Sequence, residues 1–472
     1  MNSIETRRRI RVKVSSVCII AVAAFIMLVP VLLNGFPFIF PDSGDYLVLK
    51  PLIHRSPYYG LFIFIFHMNR WIWLPVLAQA IIVSHLLWLM LTITGARNIS
   101  RNTVTLALLL AVFSSLPFFV GYIMADFFTA IMFILMYIIG LHYTELPRLL
   151  RLYLMLLACV ATAAHVSNLT MAIVILCLFS ILLPWCGRSW ADTLRHLGFL
   201  SIPIGLTAAA VLLFNTVVFG TFSLVPAGSS FLLANLIQYG PARAYLKEAC
   251  PDAGYKICAY VNRLPKTADD LLWMTGIFKE LGSFTGMKSE SRAIVVATIE
   301  QYPSEVAGMV ANNFIAGLFR HEPGAEFRPE PQDPSMIDLF ATKFGHGAVS
   351  AYLGSAEMRR AIPHGWIRRV DSVVVPVAFL ALTGLGLFAA RRGFRQNAAL
   401  AAVMIFAVLE NTLLCTAVSG VYDRYQARAT WLLPMAVFVV ASSLAARSRQ
   451  LGGARGSTGP VFSTEPGDDA DL

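Results

Sequence analysis

Long uncharged apolar runs constrain this chain more than any other feature of its sequence. The first run follows Lys13 and continues for about 20 residues, which is the length a helix needs to cross the hydrocarbon core of a bilayer. Nine further runs lie near residues 71–94, 103–121, 126–143, 152–165, 168–185, 197–219, 371–390, 397–419 and 429–446. The sequence therefore predicts an all-α polytopic membrane protein with ten transmembrane helices.

Composition excludes most other protein classes. Hydrophobic residues make up 57% of the chain and charged residues 14%, against about 45–50% and about 25% in soluble domains. The net charge is +10, but the basic residues cluster beside apolar runs, as at Arg391 and Arg392, and no nucleic-acid-binding module is present. The positive charge therefore points to membrane orientation rather than to nucleic acid.

The fifth and sixth predicted spans share one apolar stretch between Arg151 and Arg188. This stretch is too long for one untilted helix and short for two. The sequence Ala-His-Val-Ser-Asn at 164–168 interrupts it. We interpret the stretch as two short helices joined by a tight turn.

The distribution of Lys and Arg predicts that both termini are cytoplasmic. The first run carries no cleavage site before Asn34 and is interpreted as an uncleaved span. The predicted organisation is a seven-span module at 1–219, an extracytoplasmic α-rich domain at 220–370, a three-span module at 371–446 and a disordered cytoplasmic tail at 447–472. Long segments such as 220–370 translocate largely regardless of charge.

Cysteine positions give an independent test of this topology. Of seven cysteines, only Cys250 and Cys258 lie in a polar region. We predict a disulfide between them, which requires an oxidising compartment outside the cytoplasm.

The first predicted outer loop, 35–70, concentrates residue types that carry chemistry. Asp42 and Asp45 stand beyond the first span and are followed by His54, Arg55 and Tyr58. A carboxylate at a membrane surface can act as a general base or hold a cation, and an Arg can bind a phosphate through two nitrogens. A helix cap at Asp42, with Asp45 as its partner three residues on, explains the same spacing.

Further polar residues lie at the predicted outer ends of later spans. Asp126 opens the fourth span, where a helix cap is the alternative to a functional carboxylate. His165 and Asn168 occupy the turn between spans five and six, a place where polar side chains commonly satisfy backbone groups.

Two features of the last three spans are also candidates. Glu410 lies within the ninth span, where an ionised carboxylate costs several kcal/mol unless it is paired. Arg424, Tyr425 and Arg428 precede the tenth span, in a pattern that suits a lipid phosphate. An interfacial aromatic belt with snorkelling Arg would have the same pattern.

The order of these features resembles the GT-C superfamily of polytopic glycosyltransferases, which includes the aminoarabinose and protein O-mannosyl transferases. The resemblance rests on PDSGDY at 41–46, RSPYYG at 55–60, Asp126 before the fourth span, and the pair Arg424-Tyr425 before a late span. It covers the architecture but few residues. One departure is that Asp42 and Asp45 are separated by two residues, whereas family members often carry adjacent acids.

The resemblance implies roles for these residues. It implies that Asp42 is the general base, that Asp126 positions the acceptor or a metal, and that Arg55 and Arg424 hold the donor phosphate. From their places in the sequence we add Asp45 to the catalytic residues, and Arg428 and Tyr425 to those that bind the donor phosphate. The remaining substrate contacts are assigned to His54, Tyr58, His165 and Asn168. The donor would be a polyprenyl-phosphate sugar and the acceptor a glycan, lipid or protein, at the outer face of a bacterial inner membrane. A divalent cation, Mg²⁺ or Mn²⁺, held by Asp42 and Asp126 stays open.

Two other functions fit the sequence. A transporter or flippase of a lipid-linked glycan would place Glu410 in the transport path. A surface-polysaccharide polymerase or ligase would depend on Arg in the large outer segment rather than on the acidic first loop.

Overall fold

The structure is a computed structural model that describes residues 14–250, 252–323 and 334–456. Within these ranges the regular secondary structure is helical and no strand is formed. The all-α prediction is therefore confirmed for the described residues. Most of the predicted tail lies outside them, and the last helix continues to Gly456.

Helices of the first half form the N-terminal bundle. They are α1 (Val14–Asn34), α2 (Pro41–Leu47), α3 (Tyr58–His67), α4 (Trp73–Ile93), α5 (Ile99–Phe113), α6 (Leu116–Gly121), α7 (Phe127–His142), α8 (Arg148–Ala164), α9 (Val166–Trp185) and α10 (Trp190–Phe219). A 3₁₀ turn, Tyr143–Glu145, follows α7.

Shorter helices fill the large segment that follows. They are α11 (Gly228–Tyr239), α12 (Pro241–Ala249), a 3₁₀ helix Lys256–Arg263, a π turn Asp270–Met274, α13 (Ile277–Glu280), α14 (Ser283–Gly286), α15 (Lys288–Gln301), α16 (Pro303–Leu318), α17 (Pro334–Phe344) and α18 (His346–Leu353). The chain ends in α19 (His364–Arg391), α20 (Arg395–Val418), α21 (Asp423–Thr430) and α22 (Leu432–Gly456).

Eight helical segments of the described residues are long and apolar enough to cross a membrane. These are α1, α4, α7 with its 3₁₀ turn, α9, α10, α19, α20 and the segment Asp423–Ser448. The chain is thus a helical polytopic membrane protein by length and composition. The count of ten remains a prediction.

The third predicted span, 103–121, is not one helix. Helix α5 ends at Phe113, Ser114 is extended, and α6 begins at Leu116 with Pro117 in its first turn. Proline is favoured in the first turn of a helix and cannot donate within its interior, so it starts a new helix here. Similarly, the predicted loop 35–70 contains two helices, because the apolar run after Tyr58 forms α3.

Helix α7 is the centre of the bundle, because every one of its residues is buried. A helix that is apolar on all sides is expected to be enclosed by other helices. By contrast, α1 buries Ala23, Met27 and Val31, spaced by one turn, and leaves its other face largely exposed. The fold therefore places α7, and Asp126 at its start, deep inside the molecule.

The predicted break at 164–168 is confirmed as a turn between two helices. Helix α8 ends at Ala164 and α9 begins at Val166, with His165 between them in an extended conformation. The imidazole Nδ1 of His165 accepts a hydrogen bond from the backbone N–H of Ser167 and so caps α9.

The large segment has a hydrophobic cluster of its own. Side chains such as Leu233, Leu246 and Ile294 are fully buried within it. The predicted disulfide between Cys250 and Cys258 is present beside this cluster. However, Met336 and Phe340 of α17 belong to the cluster of the membrane bundle. The end of the predicted domain 220–370 therefore packs with the bundle rather than with the rest of that domain.

A backbone bridge joins the first loop to the start of α7. The N–H of Phe38 donates to the carbonyl of Gly121 at 3.0 Å, and the N–H of Ile123 donates to the carbonyl of Phe38 at 3.1 Å. A Cβ at Gly121 would stand 2.8 Å from side-chain atoms of Phe38 and Val31. Glycine is required here because the two segments approach so closely.

A second junction joins the first loop to the segment before α19. Asn34 accepts a hydrogen bond from the N–H of Glu357 at 2.7 Å, and the Glu357 carboxylate accepts one from the N–H of Ile39 at 3.2 Å. Glu357 is only 3% exposed. Burial raises its pKa to about 8, although the Ile39 hydrogen bond opposes this shift.

This junction predicts a pH-dependent stability. Because the folded pKa lies above the unfolded value of 4.5, the stability from Glu357 is full below pH 4.5 and is lost as the pH rises through about 8. Replacing Glu357 with Gln keeps the acceptor for Ile39 and removes the charge. We expect Glu357→Gln to raise the thermal midpoint by a few degrees at pH 8.5 and to leave it unchanged at pH 4. Equal midpoints at pH 8.5 would contradict the assignment.

Candidate functional site

Charged side chains from three distant segments meet at one end of the bundle. The Arg55 Nη2 lies 2.5 Å from Oδ1 of Asp42, and the Arg424 Nη1 lies 3.9 Å from Oδ2 of Asp42. The same Arg424 nitrogen is 3.9 Å from Oδ2 of Asp126. Arg428 completes the row, with Nη1 3.1 Å from Oδ1 of Asp126. Acidic and basic groups therefore alternate across the site.

Neither carboxylate of this row serves as a helix cap. Phe40 is the cap residue of α2, and its N–H donates to the Ser43 hydroxyl at 2.9 Å, which leaves Asp42 in the first turn. Asp126 stands at the cap position of α7 but makes no capping hydrogen bond with its side chain. The capping alternatives are thus not realised, and both carboxylates face arginines.

Asp42 and Asp126 differ in their access to solvent. The Asp42 side chain is 25% exposed, whereas that of Asp126 is 1% exposed. Asp45 lies beside them, with Oδ2 3.5 Å from Nε of Arg55. Burial raises the pKa of Asp45, while Arg55 and Lys50 oppose the rise. Of the three acids, Asp42 and Asp45 are accessible to a substrate.

Arg55 is fixed on several sides and keeps one nitrogen unused. The preceding His54 accepts a hydrogen bond from the Arg55 Nε at 3.2 Å. The following Ser56 donates its hydroxyl to the carbonyl of Ala163 at the end of α8. Among the described residues, Nη1 of Arg55 is shielded from solvent and has no hydrogen-bond partner. A guanidinium held in this way is prepared to bind an anion.

His54, which the sequence predicts to contact the substrate, packs against the large segment. Its ring stacks on Phe284 at 4.6 Å between centroids and lies 5.4 Å from Trp273, both in the large segment. Burial, followed by the charges of Arg55 and Lys50, lowers the pKa of His54 to about 3. The imidazole is therefore neutral and acts as an acceptor that orients Arg55.

Arg424 is supported by aromatic rings. Its guanidinium carbon lies 4.2 Å from the ring centroid of Phe40 and 5.2 Å from that of Tyr425. Such cation–π contacts hold the planar group without using its hydrogen-bond donors. The neighbouring Asp423 accepts a hydrogen bond from the N–H of Glu322 at 3.2 Å, which fixes the start of α21.

Arg428 was predicted to bind a donor phosphate, and the structure gives it another environment. It is 0% exposed. Its Nε donates to Oδ1 of Asn411 at 3.0 Å, and its Nη2 lies 3.3 Å from the Ser167 hydroxyl and 3.1 Å from the Cys415 sulfur. With Nη1 on Asp126, every guanidinium nitrogen has a partner. Arg428 therefore connects α7, α9 and α20 instead of facing a ligand.

Asn168 also departs from its predicted substrate contact. Its amide donates to the carbonyl of Ala161 at 2.8 Å, and its carbonyl accepts from the Thr129 hydroxyl at 2.9 Å. It is fully buried. Asn168 thus joins α7, α8 and α9, and so positions the turn beside Asp126.

A small cleft of about 20 Å³ opens next to Arg55. Tyr58 and His165 line it together with apolar side chains such as Leu169 and Phe214. The cleft lies between α8, α9 and α10, which places an apolar wall directly beside the arginine. The lining therefore combines one cation with apolar side chains, in a space about the size of one water molecule.

The charges of the site decide whether it can hold a divalent cation. Three carboxylates, Asp42, Asp45 and Asp126, are matched by three guanidinium groups that already lie against them. The described residues contain no group of three or more His, Cys, Asp or Glu placed to hold a metal ion. A cation between Asp42 and Asp126 would be repelled by Arg424 at short range. These residues therefore do not fit a divalent cation.

Sequence reasoning missed several members of the site. Phe40 supports Arg424. The side chains of Ser167 and Cys415 both contact Arg428. Within the first loop, the ring centroid of Tyr46 lies 4.9 Å from that of Tyr59. Cys415 is four residues after Asn411, so the two polar side chains share one face of α20. This four-residue spacing is the sequence signal that could have identified Cys415 as part of the site.

Comparisons with known proteins do not identify a family for this chain. No protein-family profile, curated protein or solved structure matches this chain.

Proposed function

We propose that the chain is an integral membrane glycosyltransferase that moves a sugar from a polyprenyl-phosphate-linked donor to an acceptor at the outer face of a bacterial cytoplasmic membrane. The observation that carries the proposal is the position of Asp42 between Arg55 and Arg424. A base and two phosphate-binding groups thereby lie within one side-chain length of one another, beside an apolar cleft.

The reaction is an inverting displacement. Asp42 takes the proton of the acceptor hydroxyl as its oxygen forms a bond to the anomeric carbon of the sugar. The bond between that carbon and the phosphate oxygen breaks, and the electron pair leaves with the polyprenyl phosphate. Arg55, through its unused Nη1, and Arg424 neutralise the charge that develops on the leaving group.

The buried part of the row has a supporting role in this mechanism. Asp126 is held by Arg428 and faces Arg424, so its negative charge orients the Arg424 guanidinium. His54 orients Arg55 in the same way from the opposite side. Each phosphate-binding arginine therefore has one positioning residue of its own, and chemistry of this type depends mainly on such positioning.

The primary test uses the purified full chain and a pool of radiolabelled polyprenyl-phosphate sugars with membrane acceptors. We expect label to move from the donor to the acceptor fraction with wild-type protein. We expect Arg424→Ala to lower the rate by 10-fold or more through weaker leaving-group stabilisation. Donor binding by wild type without any transfer would overturn the proposal.

Metal removal gives a further expected result. Because the site does not fit a divalent cation, we expect the transfer rate to be the same with and without a strong chelator. A loss of transfer with chelator, restored by added Mg²⁺ or Mn²⁺, would show that a cation displaces Arg424 from the carboxylates.

One observation favours a transporter as the second candidate. Both carboxylate oxygens of Glu410, inside α20, are shielded from solvent and have no hydrogen-bond partner among the described residues. Such a group in a membrane helix is expected to be functional. The transporter predicts that Glu410→Gln abolishes gradient-dependent movement of a lipid-linked glycan. The transferase predicts that Glu410→Gln retains transfer.

A further inference from the structure

A larger cavity lies apart from the charged row, between α1, α5 and α19. Its volume is about 360 Å³, within the roughly 300–1,000 Å³ typical of ligand sites. Apolar side chains such as Pro30, Leu33, Val112 and Ile367 form most of its wall. Asp42, Arg55, Asp126, Arg424 and Arg428 do not line it.

Exposed apolar side chains surround the mouth of this cavity, as expected of a surface that faces lipid. Leu33, Val112 and Trp366 line it and are 77%, 45% and 53% exposed. Asp371, also in the lining, is the last charged residue before the uncharged run 372–390 of α19. The cavity therefore lies at the boundary between headgroups and hydrocarbon, where tryptophan is enriched. A membrane lipid is the molecule that reaches it.

Asp371 gives the cavity one polar group with a defined need. Its side chain is buried, with 3% of the residue exposed. Among the described residues, its Oδ2 has no hydrogen-bond partner. A buried carboxylate without a donor is costly, so a donor from a ligand would be favoured strongly.

Neighbouring charges decide which ligand charge fits. Asp371 interacts electrostatically with Glu322, which has the same sign. Glu322 is already paired with Arg368, whose Nε lies against its carboxylate. The described residues place no cation within salt-bridge distance of Asp371. Within the described part of the chain, Asp371 therefore has no counter-charge, and a cationic donor from a ligand would stabilise its ionised form.

We propose that this cavity binds a phospholipid with a primary-ammonium headgroup. The ammonium donates hydrogen bonds to Asp371, and one acyl chain lies along the apolar wall formed by Leu33 and Val112. A quaternary ammonium carries the same charge but has no N–H to donate. An anionic headgroup offers no cationic donor to Asp371 and is repelled by its ionised form.

The test compares two lipids that differ only in this respect. Phosphatidylethanolamine and phosphatidylcholine with the same brominated acyl chains are added to the purified full chain, and quenching of Trp366 fluorescence is measured. The signal of Trp366 is isolated by subtracting that of Trp366→Phe. We expect wild type to bind phosphatidylethanolamine at least 10-fold more tightly than phosphatidylcholine.

Three variants locate the effect. Asp371→Asn, which cannot be charged, is expected to bind both lipids equally. Val112→Phe narrows the cavity without adding a tryptophan and is expected to weaken quenching of Trp366 by both. Asp338→Asn, at an exposed carboxylate of α17, is the matched control and is expected to keep the wild-type preference.

Two results would overturn the proposal. One is equal binding of the two lipids by wild type, which needs no variant and does not depend on folding of a mutant. The other is an unchanged preference in Asp371→Asn. Neither readout involves sugar transfer, so the outcome is independent of the proposed enzymatic function.

Discussion

Asp42→Asn is expected to lower the rate of sugar transfer by about 10²- to 10⁴-fold, the range contributed by a general base. Asparagine preserves the size of the side chain and its amide oxygen can still accept a hydrogen bond from Arg55, but it cannot take a proton. The measurement is initial transfer rate at saturating donor. Donor affinity is expected to change little, because Arg55 and Arg424 stay in place.

The matched control for this variant is Asp252→Asn, at an exposed carboxylate of the large segment far along the chain from the site. It is expected to retain the wild-type rate. Thermal midpoints of both variants should equal that of wild type, since Asp42 is partly exposed. Wild-type transfer in Asp42→Asn would remove the proposed base and with it the mechanism.

Arg428→Met is expected to destabilise the protein by about 3–5 kcal/mol, because it leaves the buried carboxylate of Asp126 without its closest partner. It also removes the donors to Asn411 and Ser167. Unfolding in mixed micelles followed by helicity measures the change. The size of this effect distinguishes a buried connecting residue from a ligand-binding residue, whose loss would leave stability nearly unchanged.

A double variant separates charge from shape in this prediction. Asp126→Asn with Arg428→Met removes both members of the pair, and we expect it to recover part of the stability lost in Arg428→Met. Arg292→Met, at an exposed arginine of α15, is the matched control and should change stability by less than about 0.5 kcal/mol. Strictly additive losses would contradict coupling between Asp126 and Arg428.

Much of the site was accessible from sequence because topology restricts position. Asp42, Arg55, Asp126 and Arg424 all lie at span ends that the charge distribution assigns to one side. Residues at span ends on one side of a bundle share a small area, and the structure brings these four together. Their chemistry then follows from residue type, although the function itself stays a proposal.

Other parts of the site depend on packing that no local pattern encodes. Arg424 and Arg428 are one helical turn apart and have the same chemistry, yet only Arg428 is fully enclosed. The ring of His54 stacks on that of Phe284, which lies far from the first loop in the sequence. Such contacts depend on how α14 and the first loop approach each other.

At one helix boundary the sequence contains the correct signal, but the hydropathy of the surrounding run points to a different result. The run 103–121 is apolar throughout, and its hydropathy predicts one span. Ser115 followed by Pro117 is nevertheless a typical helix start, and the structure begins α6 at Leu116. Local turn chemistry prevailed there because proline removes a backbone donor that a continuous helix requires.

The backbone bridge between Phe38 and Tyr122 has a consequence for building chimaeras of this protein. Asp42 and Asp126 each follow their bridge residue by four positions, so the bridge couples the placement of both acids through the main chain. Transplanting the first loop alone into a related scaffold would lose this registration. A functional graft must transfer residues 34–46 together with residues 118–126, and it must keep Gly121 in the second segment.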